Sequence, residues 1–289
     1  MQDDLNRSAL ARQGDAQHQP ERAAIQRDIT IGSCRLILGD MRDVLPALES
    51  RAKLCLSDPP YRITSGGNST GEMGGCFAKD AYDNSGELFD MVEWADMAPL
   101  IYGALADDAD AIIMTSDREE GAARAAFDAA GFGFHRLLVW VKLTATPNRW
   151  YMPNCEFGLY LYKGRARRIT DCSSRALIRC PQQDVSHLFL GADVPPDQRR
   201  PHATEKPVAL MAYWMGNSTD PGDLVIDPFM GSGSTIVAAA RTGRAAIGIE
   251  KDPKWFDVAC ARVAEAAERN QMEMPVSAPV SARQESLAL

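Results

Sequence analysis

Leu224–Glu250 reads LVIDPFMGSGSTIVAAARTGRAAIGIE, and the fold is decided by this stretch. Leu224–Ile226 is a short apolar run of the kind that forms a buried strand, and Ala245–Ile249 is a second. Between them lie a small-residue turn, Gly231-Ser232-Gly233, and an Ala-rich helical pattern over Ser234–Arg241. Strand, turn, helix and strand in that order imply a parallel sheet with a helix packed on its face. Glu250 ends the second strand 19 residues beyond Gly231. An acid at that offset can accept hydrogen bonds from both hydroxyls of a ribose, so a nucleoside-bearing cofactor is implied. The dinucleotide pattern GxGxxG is not met, because Ile236 stands where its last glycine should be. No Gly-Lys-Ser/Thr follows, which excludes a P-loop.

The same alternation extends upstream. Apolar runs at Lys53–Ser57, Ala111–Thr115, Arg136–Val141 and Phe157–Tyr162 predict further strands. Helical periods cover Leu88–Leu105, Arg118–Ala130, Lys206–Asn217 and Pro253–Asn270. A largely parallel, three-layer α/β sheet is expected. Residues 1–27 are polar and predict a mobile arm, and 271–289, rich in Pro, Ser and Ala, a disordered tail. The 289 residues are 45% hydrophobic and 24% charged, ordinary for a soluble globular protein. No run is long and apolar enough for a membrane span, and the N-terminus has no secretory core, so no membrane partner and a cytoplasmic location are expected. Seven scattered cysteines without a CxxC pair predict reduced thiols.

Two segments break the alternation. Thr64–Asn84 carries five glycines and no period, directly after the first apolar run, and reads as a functional lid. Lys163–Lys206 holds nine basic residues against five acidic ones, a net of +4 in a chain whose total is −8. A basic island on an acidic protein can mark a nucleic-acid face or simply a solvated surface. Within it, Cys172, Cys180, His187 and His202 match no compact metal signature, so no metal is expected. His135, in an apolar run, reads as a packing residue.

The run Leu54-Cys55-Leu56-Ser57-Asp58-Pro59-Pro60-Tyr61 carries the chemistry. Open α/β sheets bind ligands at the C-terminal ends of strands, where Asp58 falls. Successive prolines hold the backbone extended and lack N–H groups, leaving carbonyls free to accept hydrogen bonds. A carboxylate beside a free carbonyl suits a planar –NH2 group, and Tyr61 offers a face on which its ring can stack. A Pro-Pro turn with a surface Asp is the alternative, and chemistry alone leaves both open.

The DPPY of Asp58–Tyr61, the DPFMGSGST of Asp227–Thr235 and the later IGIE together resemble the DNA amino-methyltransferases, which carry a methyl group from S-adenosylmethionine to an exocyclic base nitrogen. With DPPY first, the cofactor turn later and the basic segment between, the order is similar to the circularly permuted β class. Leu38-Gly39-Asp40-Met41, Leu138–Lys142, the Tyr151–Lys163 stretch containing Glu156, and His202-Ala203-Thr204-Glu205-Lys206-Pro207 resemble further elements of that family in family order. The resemblance covers about residues 28–270 and implies a Rossmann-like fold with a mostly parallel seven-stranded sheet. The basic target-recognition insertion would then fall at about 163–201.

The resemblance also implies roles. Asp58, Pro59, Pro60 and Tyr61 are the expected catalytic residues. Cofactor contacts are expected from Asp40, His202, Thr204, Lys206, Asp227, Pro228, Phe229, Gly231, Ser232, Gly233, Ser234, Thr235 and Glu250. Arg165, Arg167, Arg168, Arg175 and Arg179 would contact nucleic acid, some through phosphates and some through base edges. Asp rather than Ser before Pro-Pro leans the target toward adenine N6 in a base flipped from double-stranded DNA, with cytosine N4 as the alternative. An RNA substrate, or an idle DNA-binding scaffold, is a more distant reading. A bacterial or phage origin, a homodimer and a cognate restriction endonuclease are compatible with the family and unread in the sequence.

Overall fold

A computed structural model describes residues 25–60, 91–142, 151, 154–179 and 205–273. The chain starts with strands β1 (Ile25–Ile31) and β2 (Cys34–Gly39), helix α1 (Met41–Ala47) and strand β3 (Ala52–Ser57). Helix α2 (Trp94–Ala104), β4 (Leu105–Thr115), α3 (Glu120–Ala129), β5 (Gly133–Val141), β6 (Cys155–Tyr162) and β7 (Leu177–Arg179) follow. Helix α4 (Val208–Ser218), β8 (Leu224–Asp227), α5 (Ser234–Arg241), β9 (Ala245–Glu250) and α6 (Pro253–Glu273) complete it.

The strands form one sheet in the order β1-β2-β9-β8-β3-β4-β6-β5-β7. From β2 to β4 every neighbouring pair is parallel, whereas β6 runs antiparallel to both β4 and β5. Alternating side chains of the central strands feed separate cores on the two faces. Leu54 and Leu56 of β3 and Ile112 and Met114 of β4 pack with α4, α5 and α6. Cys55, Ala111 and Ile113 face the opposite way, toward α1, α2 and α3. Helix α6 shows how a helix joins such a core: Phe256, Ala259, Val263 and Ala266 recur at helical spacing and are all buried.

The expected α/β class is present, and the sheet has nine strands where seven were expected. The seven from β2 to β5 are flanked by β1, which pairs antiparallel with β2, and by the three-residue β7. Strand β1 also takes in Ile25–Arg27, assigned from sequence to the mobile arm. Ile25 and Arg27 pair with Gly39 and Leu38, and Arg27 forms an ion pair with Asp257 at 2.6 Å, so the domain starts earlier than its polarity suggested. At the other end α6 continues three residues past Asn270.

This topology positions the site. From β3 the chain passes through α2 to β4, with the helix on one face of the sheet. From β8 it passes through α5 to β9 in the other direction, with the helix on the opposite face. The winding reverses between β3 and β8, and the crevice at such a switch point is where open α/β sheets bind ligands.

Candidate active site

Ser57 ends β3 with Asp58 directly after it, and Asp227 ends β8, on either side of the switch point. The Ser57 hydroxyl donates to Asp227 Oδ1 at 2.6 Å, and the Phe229 amide donates to the same oxygen at 3.1 Å. Asp227, only 3% exposed, is therefore spent on joining the two strand ends rather than on facing the crevice. Burial pushes its carboxyl up to about 6, against the opposing hydrogen bonds from Ser57, Thr235 and Phe229. A folded-state value above the unfolded one makes stability fall as pH rises through the interval between them. Asp227→Asn keeps an acceptor for both donors and removes the charge. It is expected to gain about 1–3 kcal/mol over the wild type at pH 8, and little at pH 4, in urea unfolding.

The turn after β8 is built for close approach. Gly231 and Gly233 adopt φ of +50° and +87°, a region that favours glycine. A Cβ on Gly233 would meet that of Ala259 at 3.0 Å, whereas a Cβ on Gly231 would meet nothing within 4 Å. Glycine is needed at 233 by α6, and the space beside Gly231 is open. Across the sheet, a Cβ on Gly248 would meet Met230 Sδ at 2.4 Å, so the turn also rests on β9. Glu250 Oε2 accepts from the Gly231 amide at 2.9 Å and Oε1 from the Asp252 amide at 2.8 Å. Burial pushes the Glu250 carboxyl up, partly offset by these bonds. Ser234 and Thr235 open α5, and the Ser234 hydroxyl is buried with no hydrogen-bond partner among the described residues.

Two further residues flank this turn. Asp40 follows β2, next to β9 in the sheet, and caps α1 by accepting from the Arg42 amide at 2.8 Å. The Arg42 guanidinium holds the Asp40 carboxyl below its usual range, their charged groups 2.6 Å apart. Arg262 of α6, which the sequence reading missed, donates to the Ser232 carbonyl at 2.6 Å and to Glu205 Oε1 at 2.5 Å. It bolts the turn to the segment leading into α4.

Asp58 is 23% exposed and lies within an alternating set of charges. Lys206 Nζ donates to Asp58 Oδ2 at 2.5 Å and lies 3.3 Å from Glu156 Oε2. Lys142 Nζ in turn donates to Glu156 Oε1 at 2.9 Å. Asp58 Oδ1 is buried without a hydrogen-bond partner among the described residues. Burial raises the Asp58 carboxyl, with Lys206 opposing. Glu156 is also pushed up by burial, but Lys206 and Lys142 outweigh that and leave it below its usual range. Pro59 is buried and Pro60 partly exposed beside them. Tyr61, the Thr64–Asn84 segment, His202 and Thr204 lie outside the described residues.

The five arginines are not brought together. Arg165 pairs with Asp108 at 2.9 Å near the start of β4, and Arg167 donates to the Ser218 carbonyl at the end of α4. Both are toward the ends of the parallel strands opposite Asp58. Arg168 donates to Cys172 Sγ, and the Arg175 amide to the Tyr213 hydroxyl. Arg179 ends β7 beside Val141, at the same end of the strands as Lys142 and Asp58. His135 sits between the rings of Tyr160 and Tyr162, at 4.5 and 4.6 Å, with burial lowering its pKa, in keeping with a packing role.

Comparison with known proteins places this geometry among relatives. The family model for N6/N4 methyltransferases, described as DNA methylase, matches residues 52–260. The Escherichia coli K12 protein YubD, described as a methylase, is 32% identical over 218 residues, covering 75% of this chain and 84% of its own. Among solved structures, the PvuII DNA methyltransferase, described as cytosine-N4-specific, has a TM-score of 0.60 at 16% identity over 86% of this chain and 97% of its own. The M1.HpyAVI–SAM complex has a TM-score of 0.58 at 20% identity over 80% of this chain and 99% of its own. At those identities the two structures speak for the fold. Among the described residues, no helix is long and apolar enough to cross a membrane.

Proposed function

We propose, for a chain that belongs to the N6/N4 family of DNA methylases, that it carries a methyl group from S-adenosylmethionine to the exocyclic N6 of adenine in a base flipped from duplex DNA. The observation that carries this reading is Asp58 at the switch point, with one carboxylate oxygen held and the other without a partner among the described residues. That oxygen and the Pro59 carbonyl are two acceptors for the two N–H bonds of an amino group. Tyr61 is the residue we assign to stacking on the base.

The residues around the glycine turn fit the cofactor. The open space beside Gly231, the Ser234 hydroxyl without a hydrogen-bond partner among the described residues, and the second lone pairs on the Glu250 oxygens suit an adenosine-bearing group. Glu250 would hold the ribose hydroxyls and Asp40 the adenine, with Asp227, Pro228 and Phe229 shaping the turn. We assign His202 and Thr204 to the methionine end. When bound, S-adenosylmethionine supplies an electrophilic methyl whose bond to sulfur breaks, leaving the electron pair on sulfur, as the new N–C bond forms. Asp58 orients the nitrogen lone pair, then takes up the one proton that the nitrogen sheds. Positioning supplies most of the rate in such a displacement. Of the arginines, Arg179 is the one we assign to the DNA backbone beside the flipped base, and Arg165 and Arg167 the ones we assign to holding the fold.

Digestion of DNA from methylation-deficient cells that express the chain, followed by mass spectrometry of the nucleosides, tests the assignment. N6-methyladenine is the expected product. N4-methylcytosine would retain the chemistry and overturn the base. If neither appeared although the purified chain bound S-adenosylmethionine, RNA would replace duplex DNA as the substrate.

A further inference from the structure

Lys206 was expected from sequence to touch the cofactor, yet its ammonium is 2.5 Å from Asp58 Oδ2 and 3.3 Å from Glu156 Oε2. The three side chains are 8%, 23% and 18% exposed, so water screens them little. We propose that Lys206 is a positioning residue for methyl transfer: it occupies one oxygen of Asp58, fixes the carboxylate's rotation and keeps it ionised, so that the other oxygen alone is presented to the amino group. The inference rests on the functional reading above, in which Asp58 accepts from the substrate.

The charge arithmetic supports it. Among the described residues, the charged groups facing Asp58 each come from a different element: Lys206 from the segment before α4, Glu156 from β6, Lys142 from the end of β5 and Asp227 from β8. The two carboxylates repel its charge and burial disfavours it, and Lys206 is the nearer of the two cations. A carboxylate that protonated here would become a donor on the oxygen that must accept. Glu156, tied to both lysines, keeps Lys206 from swinging away, and Lys142 balances Glu156.

Carboxyl-carbon NMR on the full chain labelled at aspartate tests this without turnover, with the Asp58 signal assigned by its loss in Asp58→Asn. Lys206→Met is expected to raise the Asp58 titration midpoint by about one unit or more, and Lys206→Arg to bring it back toward the wild type. Glu156→Gln, which removes a like charge, should lower it, so the proposal stays testable if the Met variant fails to fold. In turnover, the acid limb of the kcat profile of Lys206→Met should move up with the midpoint. Its kcat at neutral pH should fall roughly 10- to 100-fold while the Kd for S-adenosylmethionine stays within about twofold. An unmoved Asp58 midpoint, or cofactor affinity falling as far as kcat, would overturn the inference. If the wild type methylates no nucleic acid, the functional reading fails, and the NMR titration still decides whether Lys206 controls Asp58.

Discussion

Replacing Asp58 by alanine is expected to slow methyl transfer by roughly a thousandfold while cofactor affinity stays near the wild-type value. On the proposed reading the carboxylate is the acceptor that orients the amino nitrogen and the base that receives its proton. Asp58 follows β3 directly, whereas Gly231 and Glu250, the residues proposed to face the cofactor, belong to the turn after β8 and to the end of β9. Alanine also leaves Lys206 with Glu156 as its remaining carboxylate in this set, so an ammonium now faces the approaching amino group. Single-turnover rates with isotope-labelled S-adenosylmethionine, beside calorimetric binding, separate the two effects. Asp58→Asn keeps an acceptor and loses the charge, and should fall between. A variant that retained a tenth or more of the wild-type rate would remove Asp58 from the chemistry.

The second large effect is expected on binding. Glu250→Ala should weaken S-adenosylmethionine by about a hundredfold or more, since hydrogen bonds to a charged group contribute about 1.5–3 kcal/mol each and the proposed site serves two ribose hydroxyls. It also frees the Gly231 and Asp252 amides that the carboxylate now ties, so the turn loosens. Glu250→Gln keeps one acceptor and should lose less. At saturating cofactor the rate should recover in both variants, because neither touches Asp58. Titration calorimetry reads the affinity, and an unchanged Kd for Glu250→Ala would place the ribose elsewhere.

The central fold was legible because its signals are local. Leu224–Glu250 contains a complete strand, turn, helix and strand, and the buried runs of β3, β4 and β6 are mostly apolar. Strand β2 was not read, although its CRLILG run is mostly apolar and buried, whereas the two outer strands lack that signal. Strand β1 is mostly exposed and polar, so its period is weak, and β7 is three residues held by a neighbour rather than by its own pattern. The places of Asp58 and Glu250 at strand ends, where such sheets bind ligands, were legible for the same reason. Lys206 was read as part of a motif, but its partner lies 148 residues away, and only the topology brings them together. Arg262 carried no signal at all, since an arginine on a helix is ordinary until its carbonyl and carboxylate partners arrive from elsewhere. The arginine cluster is spread out by the fold. Close in sequence, Arg165 to Arg179 run from one end of the strands to the other.

The most direct test of the account gives the purified chain duplex DNA and S-adenosylmethionine with a trideuteromethyl group, then locates the label in the digested nucleosides by mass spectrometry. Trideuteromethyl is expected on the exocyclic nitrogen of adenine in the wild type and is expected to be lost in Asp58→Ala. Label on a ring atom, or equal labelling by the Asp58 variant, would contradict the claim that this carboxylate presents an amino group for methylation.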